Sequence, residues 1–446
     1  MQKLYKLPLI GACILLAYLP FHIFLSQSLS LVTGGLDAWK VGKDIFLCVL
    51  SLFTICLVFW QKKAGKLFWA LLGFTMLYGV LHLLLWAVHP EIYKESAILG
   101  TMYNMRLPLY LLLGYSAVLL VPKFVFSSVI KLVLIVSTTV AALGIIQYFL
   151  PADILTHFGY GLDRGARAAF FIDDNPLYPR VMSTLREPNA LGAYLVLPAA
   201  ALTLLFFETD NKRKKILLAS AFAAHCIAIA LTFSRSAWLA AVLAIALVIW
   251  WHYKMWLLAK TRQYWPLLVG ILIILAGSLY LLRDTSFVHQ YVVHSNQVRT
   301  NNGPDSNGYH TLLVQEGLKG IQHKPLGHGP GTAGLVSIHN PNGGQLTENY
   351  YIQIGYEIGI IGMALFVGLN VWLFIRIWKR RDIYTGILCA SFVAYVLTNM
   401  LLHTWSNEAV AGQWWILAGM ALAAGLGKNE TERLATTSDK TPPHAA

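Results

Sequence analysis

The stretch LTENYYIQIGYEIGIIG (Leu346–Gly362) opens a long apolar run, yet it places Thr347 and Glu348 at the mouth of that run and Glu357 deeper inside it. Asn349, Gln353 and Glu357 recur at i, i+4 and i+8, which makes one polar stripe on a helix. Gly355 and Gly359 form a GxxxG face suited to close helix contact. From Asn349 to Arg376 the run covers 27 residues, ~40 Å at 1.5 Å each, against a hydrocarbon core of ~30 Å. Its first turns are therefore expected to rise above the lipid or to tilt. Glu348 is then an exposed lip residue and Glu357 lies near the outer boundary. The plainer alternatives are that Glu348 is an acid favoured by a helix N-terminus and that Glu357 bonds to a neighbouring helix.

Outward from this stretch, the composition fixes the class. Of 446 residues, 57% are hydrophobic and 12% charged, with mean hydropathy +0.58. A soluble domain carries about 25% charged residues, so the chain reads as an all-α polytopic membrane protein. The five cysteines (Cys13, Cys48, Cys56, Cys226, Cys389) fall in apolar runs without a CxxC, which suggests neither zinc nor a disulfide framework. The N-terminal apolar stretch is too long for a typical signal peptide and reads as a retained first helix. The net charge of +13 sits in short clusters between apolar runs: 61–66, 211–215, 253–262 and 379–382. That is the pattern of cytoplasmic loops, with some attraction to anionic lipid, and it argues against nucleic acid.

About twelve spans are expected, near 7–27, 41–60, 67–88, 104–121, 128–149, 189–207, 216–233, 236–252, 264–282, 349–375, 383–402 and 408–426. With the basic loops inside, both termini are cytoplasmic and two large loops, 150–188 and 283–348, lie outside. Residues 1–149 form an N-terminal set of helices and 150–427 a core with the outer loops. The tail 428–446 is polar and expected to be disordered.

Three further clusters fall on the outer side. RVMSTLREPNALGAYL (Arg180–Leu195) carries Arg180 and Arg186 before Pro188-Asn189, with Arg164 and Arg167 upstream. Arginine forks suit diphosphate oxygens, although nearby acids could pair with them in a solvated loop. LTFSRSAW (Leu231–Trp238) places Arg235 in a tight hairpin against the positive-inside bias, which favours a functional role. His225, deeper in, reads as a hydrogen-bonded core residue. Residues 310–322 have helical spacing with Leu312, Leu313, Leu318 and Ile321 as an apolar stripe, and PLGHGPG follows. Gly327, Gly329 and Gly331 in that turn could form an anion nest.

Together these motifs resemble the O-antigen ligase/polymerase superfamily, bacterial membrane glycosyltransferases that use polyprenyl-diphosphate-linked glycans. The ligase form of the motif reads His, then Asn/Ser/Gln, nine residues, Gly, two residues, then Gly/Thr/Tyr. Glu348-Asn349, Gly359 and Gly362 fit that spacing. TFSRSAW resembles the family's Ser-Arg hairpin, REPNALGAYL its Pro-Asn helix entry, and HKPLGHGPG its Pro-Leu-Gly turn. The resemblance covers about residues 180–375. Two positions depart from it. Glu348 stands where the ligase has His, which looks more like polymerase members. His310 stands near the place of a family arginine, with Arg299 the nearest upstream alternative.

The resemblance implies transfer of a glycan from a lipid diphosphate to a sugar hydroxyl, without nucleotide, cofactor or metal, and with inversion. Arg235, with Arg180, Arg186 and Arg299, would hold the departing diphosphate. Glu348 would act as general base or orient the acceptor. Asn189, His310, His328, Asn349, Gln353 and Glu357 complete the candidate binding set. The implied partners are the polyprenyl-diphosphate-linked donor, a glycan acceptor, membrane lipid, a chain-length regulator and a flippase, in a bacterial inner membrane. A ligase with another acceptor is the nearest alternative. A flippase would use the same arginines. A secondary transporter is disfavoured, because no repeated halves are visible.

Overall fold

In lipid every backbone N–H and C=O must find a partner within the chain, and helices satisfy that requirement segment by segment. The computed structural model describes residues 3–121, 124–172, 175–253, 306–341 and 343–438, and most of them are helical. In chain order the helices are α1 (Leu7–Tyr18), α2 (His22–Thr33), α3 (Leu36–Trp60), α4 (Lys66–Val88), α5 (Lys94–Leu120), α6 (Phe126–Tyr148), α7 (Pro188–Glu208), α8 (Lys212–Leu231), α9 (Arg235–Tyr253), α10 (Ser306–His323), α11 (Tyr350–Trp378), α12 (Ile383–Leu401) and α13 (Glu408–Ser438). Nine segments among the described residues are long and apolar enough to cross a membrane, with α1 and α2 counting as one run from Leu4 to Thr33. The more polar α5 and α13 match two further expected spans. The chain is a multi-pass membrane protein. The expected span 264–282 lies outside the described residues, as does most of the expected loop 283–348 before α10.

The expected all-α class stands, with one short addition: β1 (Phe170–Ile172) and β2 (Asn175–Arg180) form an antiparallel hairpin in the first large loop. Helix α13 runs past the last expected span, as far as Ser438. In α10, Leu313 and Ile321 turn inward while Leu312 and Leu318 are exposed, so the expected apolar stripe is split.

Helix ends gather at two levels. Lys63 donates to the carbonyl of Leu119, Phe126 meets Tyr384, and Trp251 meets Trp378. This level carries the basic clusters 61–66, 211–215 and 379–382. The opposite level carries the described parts of the large loops and every described candidate residue. Between them α7 is buried on nearly all sides. Helices α5 and α13 approach almost backbone to backbone, because a Cβ on Gly114 would stand 2.2 Å from the carbonyl oxygen of Ile416.

The first large loop is a plug rather than a solvated strap. Val181 to Leu185 are buried between helices. Gln147 Oε1 accepts from the backbone N–H of Met182 and Ser183 at 3.1 and 2.7 Å, and Thr184 donates to the carbonyl of Pro20 at 2.7 Å. Arg164 donates to Gln27, Ser30 and Gly159, which ties the loop to α2.

A buried ion network lies between α2, α3, α5 and α13. Arg106 grips Asp44 with a two-pronged pair at 2.6 and 2.7 Å, Lys43 adds a contact at 3.3 Å, and the guanidinium lies 3.7 Å over the Tyr103 ring. Glu408 and His22 are buried nearby. Planar, always-charged arginine suits such a site better than lysine.

Candidate active site

The site grows from the turn that starts α11. The side chain of Asn349 caps the helix by accepting from Ile352 N–H at 3.0 Å, and its amide donates to the carbonyl of Met400 at 3.0 Å. Thr347 Oγ1 donates to the Asn349 carbonyl, so it accepts from His403 Nε2–H at 3.2 Å. Between these two anchors Glu348 takes a left-handed backbone conformation, φ +44°. For a residue with a Cβ this costs about 1–3 kcal/mol and persists only where the surroundings over-determine it. The conformation turns the carboxylate out of the helix line onto His310, on the first turns of α10. His310 Nδ1–H donates to Glu348 Oε2, and each side chain is about one-third exposed or less (27% and 33%). Burial and the neighbouring His310 push the His403 imidazole down to about 4, so it stays neutral at physiological pH.

The arginine-bearing segments converge on the same level. Arg180 donates to the Thr232 carbonyl at 2.8 Å and to Asn189 Oδ1 at 2.9 Å. It thus pins the hairpin before Arg235 to the start of α7. Arg235 is the first residue of α9 and is half-buried. Phe233 and Ser183, like Glu348, have positive φ, so three of the chain's strained non-glycine positions lie in these three segments. Arg186 is also half-buried, and beside it Glu187 immediately precedes α7. Burial raises the Glu187 carboxyl, Arg186 and Arg180 oppose that, and Glu348 adds to it. The two large loops therefore act on each other electrostatically. Arg299 lies outside the described residues.

Glu357, Gln353 and His328 belong to a different task. Helix α11 breaks at Ile358 and Gly359 (φ +73°, ψ 178°). The carbonyls of Tyr356 and Glu357, freed from the helix, accept from the N–H of His328 and Gly329, both at 2.8 Å, and Ile360 N–H donates to Pro325. The Glu357 carboxylate is fully buried. One oxygen accepts from Gly331 N–H at 3.0 Å and Ala333 N–H at 3.4 Å, and the other from Asn104 of α5 at 2.7 Å. The glycine turn is an anion nest, but the anion it holds is the protein's own Glu357. Gln353 is buried against Gly334. His328 stacks on Tyr356 with centroids 3.9 Å apart, two turns below Glu348, and burial lowers its basicity. The expected GxxxG face does not pack helix to helix as a unit. Gly355 meets Ile321 of α10 while Gly359 meets the turn at Pro325–Leu326. His225 is a core residue, bonded to Ala221 and Ser137.

Every group around Glu357 is a donor, so Glu357→Gln must turn an NH₂ toward one of them. We expect a loss of about 1–3 kcal/mol in thermal unfolding of the purified protein. Turnover per folded molecule should change less. A normal melting curve with abolished turnover would refute this bracing role.

Residues 218–367 match the family model described as O-antigen ligase. Over those residues the chain is similar to the O-antigen ligase/polymerase superfamily. The matched region takes in the Arg235 hairpin, α10, the glycine turn and the Glu348 turn. No curated protein matches the chain. Among the described residues no group of three His, Cys, Asp or Glu side chains could hold a metal ion. Sequence reasoning missed Thr347 and His403 as partners of the site. A polar TWSNE stretch between two apolar runs was the available signal for His403.

Proposed function

We propose that this chain is a bacterial inner-membrane glycosyltransferase that polymerises oligosaccharide repeats carried on a polyprenyl diphosphate. The observation that carries this reading is Glu348. It occupies the place of the ligase histidine, in a strained turn at the mouth of the bundle, facing arginine-bearing segments. The basic clusters at the opposite level argue that this mouth faces the extracytoplasmic side. The donor glycan arrives already activated, so the protein must hold the departing diphosphate and take the acceptor's proton. Arg235 and Arg186 suit the first task, and direct attack by the acceptor inverts the anomeric centre without a metal. Arg180 is committed to Thr232 and Asn189 and instead fixes the hairpin that carries Arg235. Thr347, Glu348 and Asn349 frame the acceptor side.

The test is purified protein in vesicles with a lipid-diphosphate-linked repeat. A ladder of lipid-linked products rising by one repeat at a time supports a polymerase. A single transfer to a lipid, protein or wall acceptor with no ladder supports the ligase reading, which the description of the matched family favours.

Arg186→Lys and Arg235→Lys should each lose most activity at normal protein level, because a point charge replaces a planar fork. Arg180→Lys should lower thermal stability first. Wild-type ladders from the Arg186 and Arg235 variants would remove both from the diphosphate site.

A further inference from the structure

We propose that His310, not Glu348, accepts the proton of the acceptor hydroxyl, and that Glu348 is the carboxylate that orients and charges-balances that imidazole. The inference rests on the glycosyltransferase reading above and assigns the proton within it.

The geometry carries the argument. An ionised carboxylate has only acceptor sites, so the contact with Glu348 Oε2 fixes the proton of His310 on Nδ1. The ring's other nitrogen, Nε2, is then the lone-pair nitrogen, on the opposite edge from Glu348. The His310 side chain is 27% exposed, so part of it is open to a hydroxyl from outside. Glu348 is engaged by the imidazole through one oxygen and is fixed by its φ of +44°. An ordinary carboxylate is also a poor base toward a sugar hydroxyl at neutral pH, whereas an imidazole with a carboxylate partner is matched to it. The surroundings keep the charge local. Neutral His403 is bonded to Thr347, beside Glu348, and Glu187 of the first large loop feels the charge of Glu348 as well as those of Arg186 and Arg180.

The step balances as follows. The acceptor O–H bond breaks and its proton passes to His310 Nε2. The acceptor oxygen forms a bond to the anomeric carbon as the bond from that carbon to phosphate oxygen breaks, and the electron pair leaves with the lipid diphosphate. The imidazolium, paired with Glu348, later releases its proton to water.

The pH dependence follows with a definite sign. Activity needs neutral His310, so it should rise with pH. A facing carboxylate favours an imidazolium, so Glu348→Gln should move that rise to lower pH and reduce the plateau about 10- to 100-fold. Glu348→Asp should restore part of both. His310→Gln should cost more, roughly 10²–10⁴-fold, and remove the rise. His310→Ala should regain activity with added imidazole.

The experiment measures these profiles on purified full-length protein in vesicles, with binding of the lipid-linked donor followed separately by quenching of tryptophan fluorescence. A larger loss in Glu348→Gln than in His310→Gln, with donor binding retained in both, would overturn the proposal and return the base to Glu348. If His310→Ala does not fold, the order of the two glutamine variants and the wild-type profile decide. Absence of any transfer by the wild type from a bound lipid-diphosphate donor would instead remove the glycosyltransferase reading.

Discussion

Gly359→Ala is expected to abolish the folded protein or leave it with no transfer activity. Gly359 sits at φ +73°, ψ 178°, a region that is essentially open to glycine alone. A Cβ there would also stand 2.5 Å from the backbone of Leu326 and 2.7 Å from the carbonyl of Pro325. These are main-chain atoms of the turn that α11 holds, and they cannot swing aside. The turn would have to leave, and with it go the bonds from His328 and Gly329 to the freed carbonyls and the seat of Glu357. The backbone strain alone is worth about 1–3 kcal/mol, before the lost hydrogen bonds are counted. Gly355→Ala is the matched control. Its Cβ meets only the side chains of Ile321 and Met363, which can shift. Thermal unfolding of the two variants in detergent should separate them clearly. Equal melting temperatures would show that the break in α11 is dispensable.

Arg106→Leu is expected to destabilise the helical bundle by about 3–5 kcal/mol, since it leaves Asp44 charged and buried without its two-pronged partner. Asp44 would keep only Lys43 at 3.3 Å. Replacing both members, Asp44→Leu with Arg106→Leu, should recover much of the loss, because a buried ion pair often does no better than apolar side chains of similar size. The readout is retained monodisperse protein after heating. A double variant less stable than Arg106→Leu alone would mean that the network around Lys43, His22 and Glu408 depends on the pair for more than charge balance.

The helices were legible because their signal is long and redundant. An apolar run of ~20 residues needs no detail to be read as a span, and every expected span within the described residues coincides with a helix. The first large loop was misread for the same reason in reverse. Met182, Ser183 and Thr184 look like loop residues, but their polar groups are satisfied by Gln147, Val140 and Pro20 from distant helices. Local sequence carries no trace of such partners. The Asp44–Arg106 pair went unnoticed because each charge is diluted in its own hydrophobic run, and only tertiary packing sets them face to face. At the site, spacing located the Glu348 turn and the polar stripe below it. Spacing could not tell that Gly359 ends the stripe, that the glycine nest is filled from within, or that His310 faces Glu348.

The interruption of α11 also bears on how the mouth of the protein is anchored. A continuous rod anchored in lipid would convert each change in bilayer thickness into a swing at its tip. A tilt of ~10° over ~15 Å moves the end of a helix by about 2–3 Å, more than a hydrogen bond tolerates. Here both sides of the break are bonded to one turn: the carbonyls of Tyr356 and Glu357 above it accept from His328 and Gly329, and the N–H of Ile360 below it donates to Pro325, while Asn104 holds the Glu357 carboxylate. The break is thus a clamped joint, and a swing of the lower segment is expected to meet that clamp before it reaches the Glu348 turn.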